Sequence, residues 1–209
     1  MSTQESNWKY TDDIVDEAEA IRSARAQSLE LGVAPVSPGT GAQLALIAAA
    51  TSARNIMEIG TGCGVSGLWM LSAQPRSVLT TIDSESEHLG AARSAFVDAG
   101  IGSARTRLIT GRTRDVLPRM NEDSYDLVLV DADPADVIEN VEHALRLVRL
   151  GGTVVVPRAL HKGKVSDPAQ RDDVTAAFRS IIEEVATSDA VVSALSPVGD
   201  GLLQVTKLG

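Results

Sequence analysis

The chain has 209 residues, 44% apolar and 22% charged, which is enough to bury the core of one domain. A formal charge of -9 with only 3% aromatic residues argues against the basic footprint and stacking platforms of a nucleic-acid binder. One cysteine, Cys63, excludes an intrachain disulfide and agrees with a reducing compartment. Residues 1–10 are polar and read as a loose tail with no secretory hydrophobic segment. From Thr11, a weak apolar stripe at Ile14, Ala18, Ile21, Arg25 and Leu29 predicts a helix that Gly32 stops. Ser37 and Pro38 open a second helix, whose body from Gln43 to Ala50 is apolar nearly all round. Its apolar run from Leu44 to Ala50 is the longest in the chain and far too short to span a bilayer. The expected location is the cytoplasm.

From residue 52 onward, strand and helix alternate. Strands are predicted at Asn55–Ile59, Val78–Asp83, Arg105–Thr110, Asp126–Asp131 and Thr153–Pro157. Between them lie helices at Ser66–Ser72, Glu85–Ala99, Thr113–Met120 and Ala135–Val148. Asp167-Pro168 opens a further helix to about Ala186. Strands at Ala190–Leu195 and Leu202–Val205 follow, joined by the turn-rich Pro197–Gly201 in antiparallel fashion. Repeated β-α-β units require a mostly parallel sheet with helices on both faces. The expected fold is therefore α/β and doubly wound: a seven-stranded sheet with a helical cap at 11–51 and a ligand-binding core at 52–209, all in one domain.

The sharpest motif is Met57-Glu-Ile-Gly-Thr-Gly-Cys-Gly-Val-Ser-Gly67. An apolar strand enters a run of four glycines, and a helix then starts, offering unpaired N–H groups at its positive end. Gly62, Gly64 and Gly67 satisfy G-x-G-x-x-G, and Asp83 closes the next strand 21 residues after Gly62, where a carboxylate accepts from ribose hydroxyls. By itself this pattern fits both S-adenosylmethionine (SAM) and NAD, since each carries an adenosine ribose. Three features favour SAM. Glu58 suits the methionine amino group and would repel a pyrophosphate. More than fifty residues, read as helical, precede the strand. The sheet ends in two strands after a long helix instead of a second mononucleotide half.

Ligands of open α/β sheets sit beyond the carboxyl ends of the strands. Asp131, at the end of Tyr125–Asp131, therefore projects toward the crevice of Glu58 and Asp83, while Asp133 before Pro134 suits a helix N-cap. Gly111-Arg-Thr-Arg-Asp115 follows the third strand and reads either as an adenine-side loop or as plain surface. Leu150-Gly-Gly152 reads as a simple turn. His161, in the loop after the fifth strand, is the candidate general base, against the reading of a solvated loop histidine. His88 and His143 fall within helices and read as structural or exposed. Arg158, Lys162 and Lys164 either attract an anionic acceptor or form a solvated basic loop.

Glu58-Ile-Gly-Thr-Gly62, Thr81-Ile-Asp83, Asp126–Asp133 and Leu150–Val156 together resemble the catechol and caffeoyl-CoA type O-methyltransferases, and most of all the small O-methyltransferases of actinobacteria, from about Ser28 to the C-terminus. The resemblance implies that Glu58, Gly60, Thr61 and Gly62, with Ser66 nearby, surround the methionine part of SAM. It places Asp83 and Ser84 at the ribose, Val36 on the wall, Arg112, Thr113 and Arg114 around the adenine, and Asp131 at the methyl-transfer end. It further implies a small-molecule acceptor and a homodimer, for which the Thr11–Leu31 helix is a plausible element. Metal-dependent members carry Asp-Lys after the strand-four Asp-Ala and end strand five in Asp-Asn. Here the lysine position is Pro134, and Pro157 and Arg158 replace Asp-Asn. The expectation is a SAM-dependent O-methyltransferase without catalytic metal, with Asp131 and His161 as its catalytic pair. The alternatives are a non-catalytic SAM-binding protein and an NAD-dependent oxidoreductase.

Overall fold

A computed structural model describes residues 3–209 of the chain. Seven strands form one sheet: β1 (Asn55–Ile59), β2 (Val78–Asp83), β3 (Thr106–Thr110), β4 (Tyr125–Val130), β5 (Val148–Pro157), β6 (Val191–Ser196) and β7 (Leu202–Lys207). Their order is β3-β2-β1-β4-β5-β7-β6. The first five run parallel, and β7 is antiparallel to both β5 and β6. This is the doubly wound α/β arrangement expected from the sequence. Central strands of such a sheet are covered on both faces, so they carry unbroken apolar runs. Ile56, Met57 and Ile59 of β1 and Leu127–Leu129 of β4 have no exposed surface.

The helices are α1 (Thr3–Asp13), α2 (Glu19–Glu30), α3 (Pro38–Ala50), α4 (Val65–Ala73), α5 (Ser86–Asp98), α6 (Thr113–Val116), α7 (Val137–Leu147) and α8 (Asp173–Thr187). One face of the sheet packs with Ile21, Leu44, Leu68 and Phe96 from α2 to α5. The other packs with Val141, Ala144, Phe178 and Ile181 from α7 and α8. Each of these side chains larger than alanine contributes about 1.5–3 kcal/mol when taken from water. Strand order reverses between β1 and β4, and there the carboxyl ends open the crevice where ligands of this fold bind.

The N-terminal reading needs correction. Residues 3–10, expected as a loose tail, lie within α1, and the single helix expected over Thr11–Leu31 is broken between Asp13 and Glu19. Met1 and Ser2 fall outside the described residues. Two long-range polar contacts decide the outcome. The Asp12 carboxylate accepts from Gly39 N at 2.7 Å and docks the end of α1 on α3. At the break, buried Glu17 accepts two bonds from Arg25, at 2.6 and 2.8 Å, and one from Trp69 Nε1 at 3.3 Å. Arg25 also donates to Val36 O at 2.7 Å, so this ion pair holds the loop that precedes α3. Removing one partner of a largely buried pair strands the other charge. Arg25→Ala is expected to cost about 3 kcal/mol, read as a lowered urea midpoint, and a change under ~0.5 kcal/mol would contradict this role for the pair.

Most other boundaries shift by one or two residues, and three differ in a way that has a physical cause. β5 begins at Val148, not Thr153, because Leu150-Gly-Gly152 forms an irregularity within the strand and not a turn before it. Pro118 ends the α-helical turn of α6, and Leu117–Arg119 is 3₁₀. The helix expected from Asp167-Pro168 starts only at Asp173, capped by Asp172, whose carboxylate accepts from Thr175 N. Arg179 explains the delay. Its guanidinium donates to the carbonyls of Lys164, Val165, Asp167 and Gln170, which folds the segment before α8 into turns.

Candidate active site

β1 delivers the chain to Gly60, whose φ is +96°. Gly60 N donates to Ile82 O at 2.9 Å, and Asp131 N donates to Ile59 O at 2.7 Å, so the ends of β1, β2 and β4 are tied side by side. The loop then passes Asp83, which accepts from Gly62 N and from Glu85 N, both at 2.9 Å. His88 Nδ1 stands 3.3 Å from Oδ1, the oxygen that accepts from Glu85 N. The glycines divide their work. A Cβ on Gly67 would meet Leu79 and Phe96 at 2.8 and 2.9 Å, so this glycine serves helix-to-sheet packing, whereas Gly60 and Gly62 line the first cavity and Gly60 lies tight against the main chain of Asp131.

Glu58 has no exposed surface. Ser66 Oγ donates to its Oε1 at 2.5 Å and Thr81 Oγ1 to its Oε2 at 2.6 Å. Thr81 Oγ1 also lies 2.6 Å from Thr61 Oγ1. Burial pushes the Glu58 carboxyl up to about 7, against the pull of the two hydroxyls and with Asp131 and Asp83 adding repulsion. Asp131 is likewise raised by burial, offset by Arg158, whose Nη2 donates to its Oδ1. Arg158 Nη1 donates to Ala34 O at 3.3 Å.

Three adjoining cavities follow the crevice. The first, about 530 Å³, is bordered by Gly60, Gly62, Asp83, Ser84, Arg112, Thr113, Arg114 and Asp131 among the residues expected from the sequence. The second, about 240 Å³, has Val36, Gly60, Thr61, Gly62, Ser66 and Asp131 on its walls, together with Cys63 and Arg158. The third, also about 240 Å³, is lined by Asp131, Arg158, His161 and Lys162 over an apolar floor of Val130, Val137, Val156 and Phe178. Asp131 and Ala132 border all three.

The structure thus gathers nearly every predicted residue, with two differences. Glu58 reaches none of the three cavity walls, because Ser66 and Thr81 cover both of its oxygens. His88, read as structural or exposed, borders the first cavity beside Asp83. Asp133 caps the next turn as expected, accepting from Ala135 N at 3.0 Å. Reasoning from the sequence missed Thr81 as the second partner of Glu58 and Asp200 as the anchor of the His161 loop. Asp200 accepts from the backbone N of Lys162 and of Gly163. Neither residue carries a local signal, since each acts on a partner more than twenty positions away.

A sheet of this order, with Asp83 and Asp131 at the ends of β2 and β4 beside the crevice and Glu58 buried behind it, has the architecture of the Rossmann-like methyltransferases. The family model described as O-methyltransferase matches residues 11–208. A Mycobacterium tuberculosis protein named as a probable O-methyltransferase is 44% identical over 207 residues, covering 99% of this chain and 92% of its own. Among solved structures, a Corynebacterium glutamicum protein superposes with a TM-score of 0.90 at 31% identity, over 100% of this chain and 98% of that one. The O-methyltransferase TomG of Streptomyces achromogenes, involved in tomaymycin synthesis and solved in complex with SAM, gives 0.86 and 31%, covering all of both chains. The chain belongs to the O-methyltransferase family and is an enzyme of that class. Family membership sets the NAD-dependent oxidoreductase reading aside. Among the described residues, no helix is long and apolar enough to cross a membrane.

Proposed function

We propose that this enzyme transfers the methyl group of SAM to a hydroxyl of a small metabolite, without the divalent metal used by related enzymes. The observation that carries the proposal is the run of three cavities meeting at Asp131. Adenosine fits the first, where Asp83 and Ser84 take the ribose hydroxyls and Arg112 and Thr113 flank the base. Methionine fits the second, against Val36, Thr61 and Ser66. The acceptor fits the third.

Glu58 acts here at one remove. Ser66 donates its hydroxyl proton to Glu58, so its lone pairs are turned outward as acceptors for the methionine ammonium. Bound SAM supplies an electrophilic methyl on a positive sulfur, and a neutral thioether leaves without acid catalysis. The acceptor hydroxyl must lose its proton, and His161 on the third cavity's wall takes it. The oxygen lone pair forms the new C–O bond, the C–S pair returns to sulfur, and the imidazolium later releases its proton to water. Alignment of the two substrates across Asp131 supplies the remaining rate advantage.

The donor set does not suit a magnesium ion, which wants several oxygen ligands in octahedral order. Pro157 brings no side-chain ligand, and Arg158 donates to the remaining carboxylate, Asp131. Methyl transfer is therefore expected to persist in excess EDTA, with less than a twofold change on adding Mg²⁺. Activity that vanishes with EDTA and returns with Mg²⁺ would overturn the metal-free reading. A second reading, a SAM-binding protein that has lost catalysis, is favoured by the combined departures at Pro134, Pro157 and Arg158. Tight calorimetric binding of SAM, with no turnover on phenols, catechols or hydroxy acids, would select it.

We further propose a homodimer in the cytoplasm, with a small-molecule acceptor and neither nucleic acid nor membrane as partner. Trp8, Tyr10, Ile14 and Leu29 leave apolar surface exposed on the N-terminal segment. Sedimentation equilibrium at micromolar concentration is expected to give twice the chain mass, and a single-chain mass would contradict the dimer.

A further inference from the structure

We propose that Arg158 is a catalytic residue that binds the acceptor as an oxyanion, in the place where metal-dependent relatives use a cation. The proposal rests on the acceptor cavity assigned above and adds the chemistry of its ligand: an acidic hydroxyl, such as that of a phenol, captured in its ionised form.

Four observations carry it. First, Arg158 borders both the methionine cavity and the acceptor cavity, and among the described residues it is the only cationic one that lines both. Second, only two of its five N–H donors are engaged, one with Asp131 and one with Ala34 O. The others remain for an acceptor oxygen. Third, the cavity holds a second cation, Lys162, beside Arg158, and its three carboxylates are each occupied by donors of the protein itself. Its charged or titratable residues are Asp131, Asp133, Arg158, His161, Lys162 and Asp200. Asp131 is engaged by Arg158, Asp133 by Ala135 N, and Asp200 by the backbone N of Lys162 and of Gly163. The Lys162 ammonium forms no ion pair among the described residues. Fourth, the backbone is held in a costly shape to present them. Arg158, His161, Lys162 and Asp200 all have φ between 48° and 67°, and they are four of the six non-glycine residues with positive φ among those described. Such backbone is strained for any L side chain and persists only where its surroundings enforce it. All four line this one cavity.

An arginine is suited to the task. It keeps its charge at any working pH, and its planar fork binds an oxyanion and a carboxylate side by side. The charge of the guanidinium pulls the pKa of a phenol beside it down, as it does for Asp131, and this pull works against desolvation, which pushes it up. The apolar floor of Val130, Val137, Val156 and Phe178 suits an aromatic ring.

The test uses 4-nitrophenol, whose anion is coloured, titrated against the protein with and without S-adenosylhomocysteine. The proposal predicts that the bound probe ionises at least one pH unit below the free probe, a tenfold or greater preference for the anion. The double variant Arg158→Met with Asp131→Asn removes both partners of the ion pair and so strands no charge, and it should abolish the shift. Arg158→Lys should keep part of it. Absence of probe binding at millimolar concentration, a bound probe with unshifted or raised pKa, or a shift that survives the double variant would each overturn the proposal. Binding of S-adenosylhomocysteine, measured separately by calorimetry, reports on the SAM reading. Its failure while the nitrophenolate shift remains would strike that reading and leave the anion site standing.

Discussion

Glu58→Gln is expected to make the ligand-free protein more stable above pH 7 and, at the same time, a weaker binder of SAM. The carboxyl is buried without a cationic partner, and burial holds its pKa near 7 instead of the ordinary 4.5. Between those values the folded state keeps a proton that the unfolded chain has released. The stabilisation from this group is therefore complete below about pH 4.5 and is lost as pH rises through about 7. Above that point the charged carboxylate costs on the order of 3 kcal/mol. Glutamine imitates the neutral acid. It accepts from Ser66 and needs only a rotation of the Thr81 hydroxyl to receive its own N–H. The variant should gain about 1–3 kcal/mol at pH 8, read as a rise of several degrees in melting temperature, and gain little at pH 5. SAM affinity should fall by roughly tenfold or more, since a hydrogen-bond network aimed at an ammonium loses its charge. A variant less stable at pH 8, or equal to the parent in SAM affinity, would show that Glu58 is a packing residue.

Gly60→Ala is expected to have the largest effect on folding. A Cβ there would lie 2.1 Å from the carbonyl oxygen of Asp131 and 2.6 Å from its carbonyl carbon. These are main-chain atoms of the neighbouring strand end, so no rotamer change relieves the clash. The φ of +96° adds strain of its own for any L side chain. Separating β1 from β4 would also break the Asp131 N to Ile59 O bond and displace Asp131 from the junction of the three cavities. The cost should exceed about 3 kcal/mol, seen as loss of soluble protein or a collapsed urea midpoint. Gly90→Ala is the control, because its added methyl meets nothing within 4 Å and its φ is not positive. If Gly60→Ala matched that control in stability and SAM binding, the tight crossing of β1 and β4 would not matter as claimed.

The parts of this structure that were legible in the sequence are those encoded locally. Parallel strands buried on both faces leave apolar runs such as Leu127–Val130, and all seven strands could be found from such runs and from turn residues. Gly62 and Asp83 announce themselves through spacing along one β-α-β unit, and they meet at 2.9 Å through Gly62 N. What stayed hidden depends on contacts between distant segments. α1 is polar, and its end is held by the bond from Gly39 N to Asp12. Glu58 was expected to touch ligand, but Ser66 and Thr81 enclose it, and only the three-dimensional packing of β1 against α4 and β2 places those hydroxyls there. Arg158 was read as part of a basic loop that attracts an anionic acceptor or is solvated, while its engagement with Asp131, 27 residues earlier, required the closing of β4 on β5. Arg179 carried no signal at all, being one more arginine on a helix.

The most direct test of the account is calorimetric titration of SAM into the parent protein and Glu58→Gln at pH 6.5, in two buffers of different ionisation enthalpy. At that pH the buried carboxyl is largely protonated, and the incoming ammonium should drive its proton into the buffer. The account predicts release of a substantial fraction of one proton by the parent, none attributable to this group in the variant, and weaker binding by the variant. Equal proton counts and equal affinities in the two proteins, or no SAM binding by the parent, would contradict it.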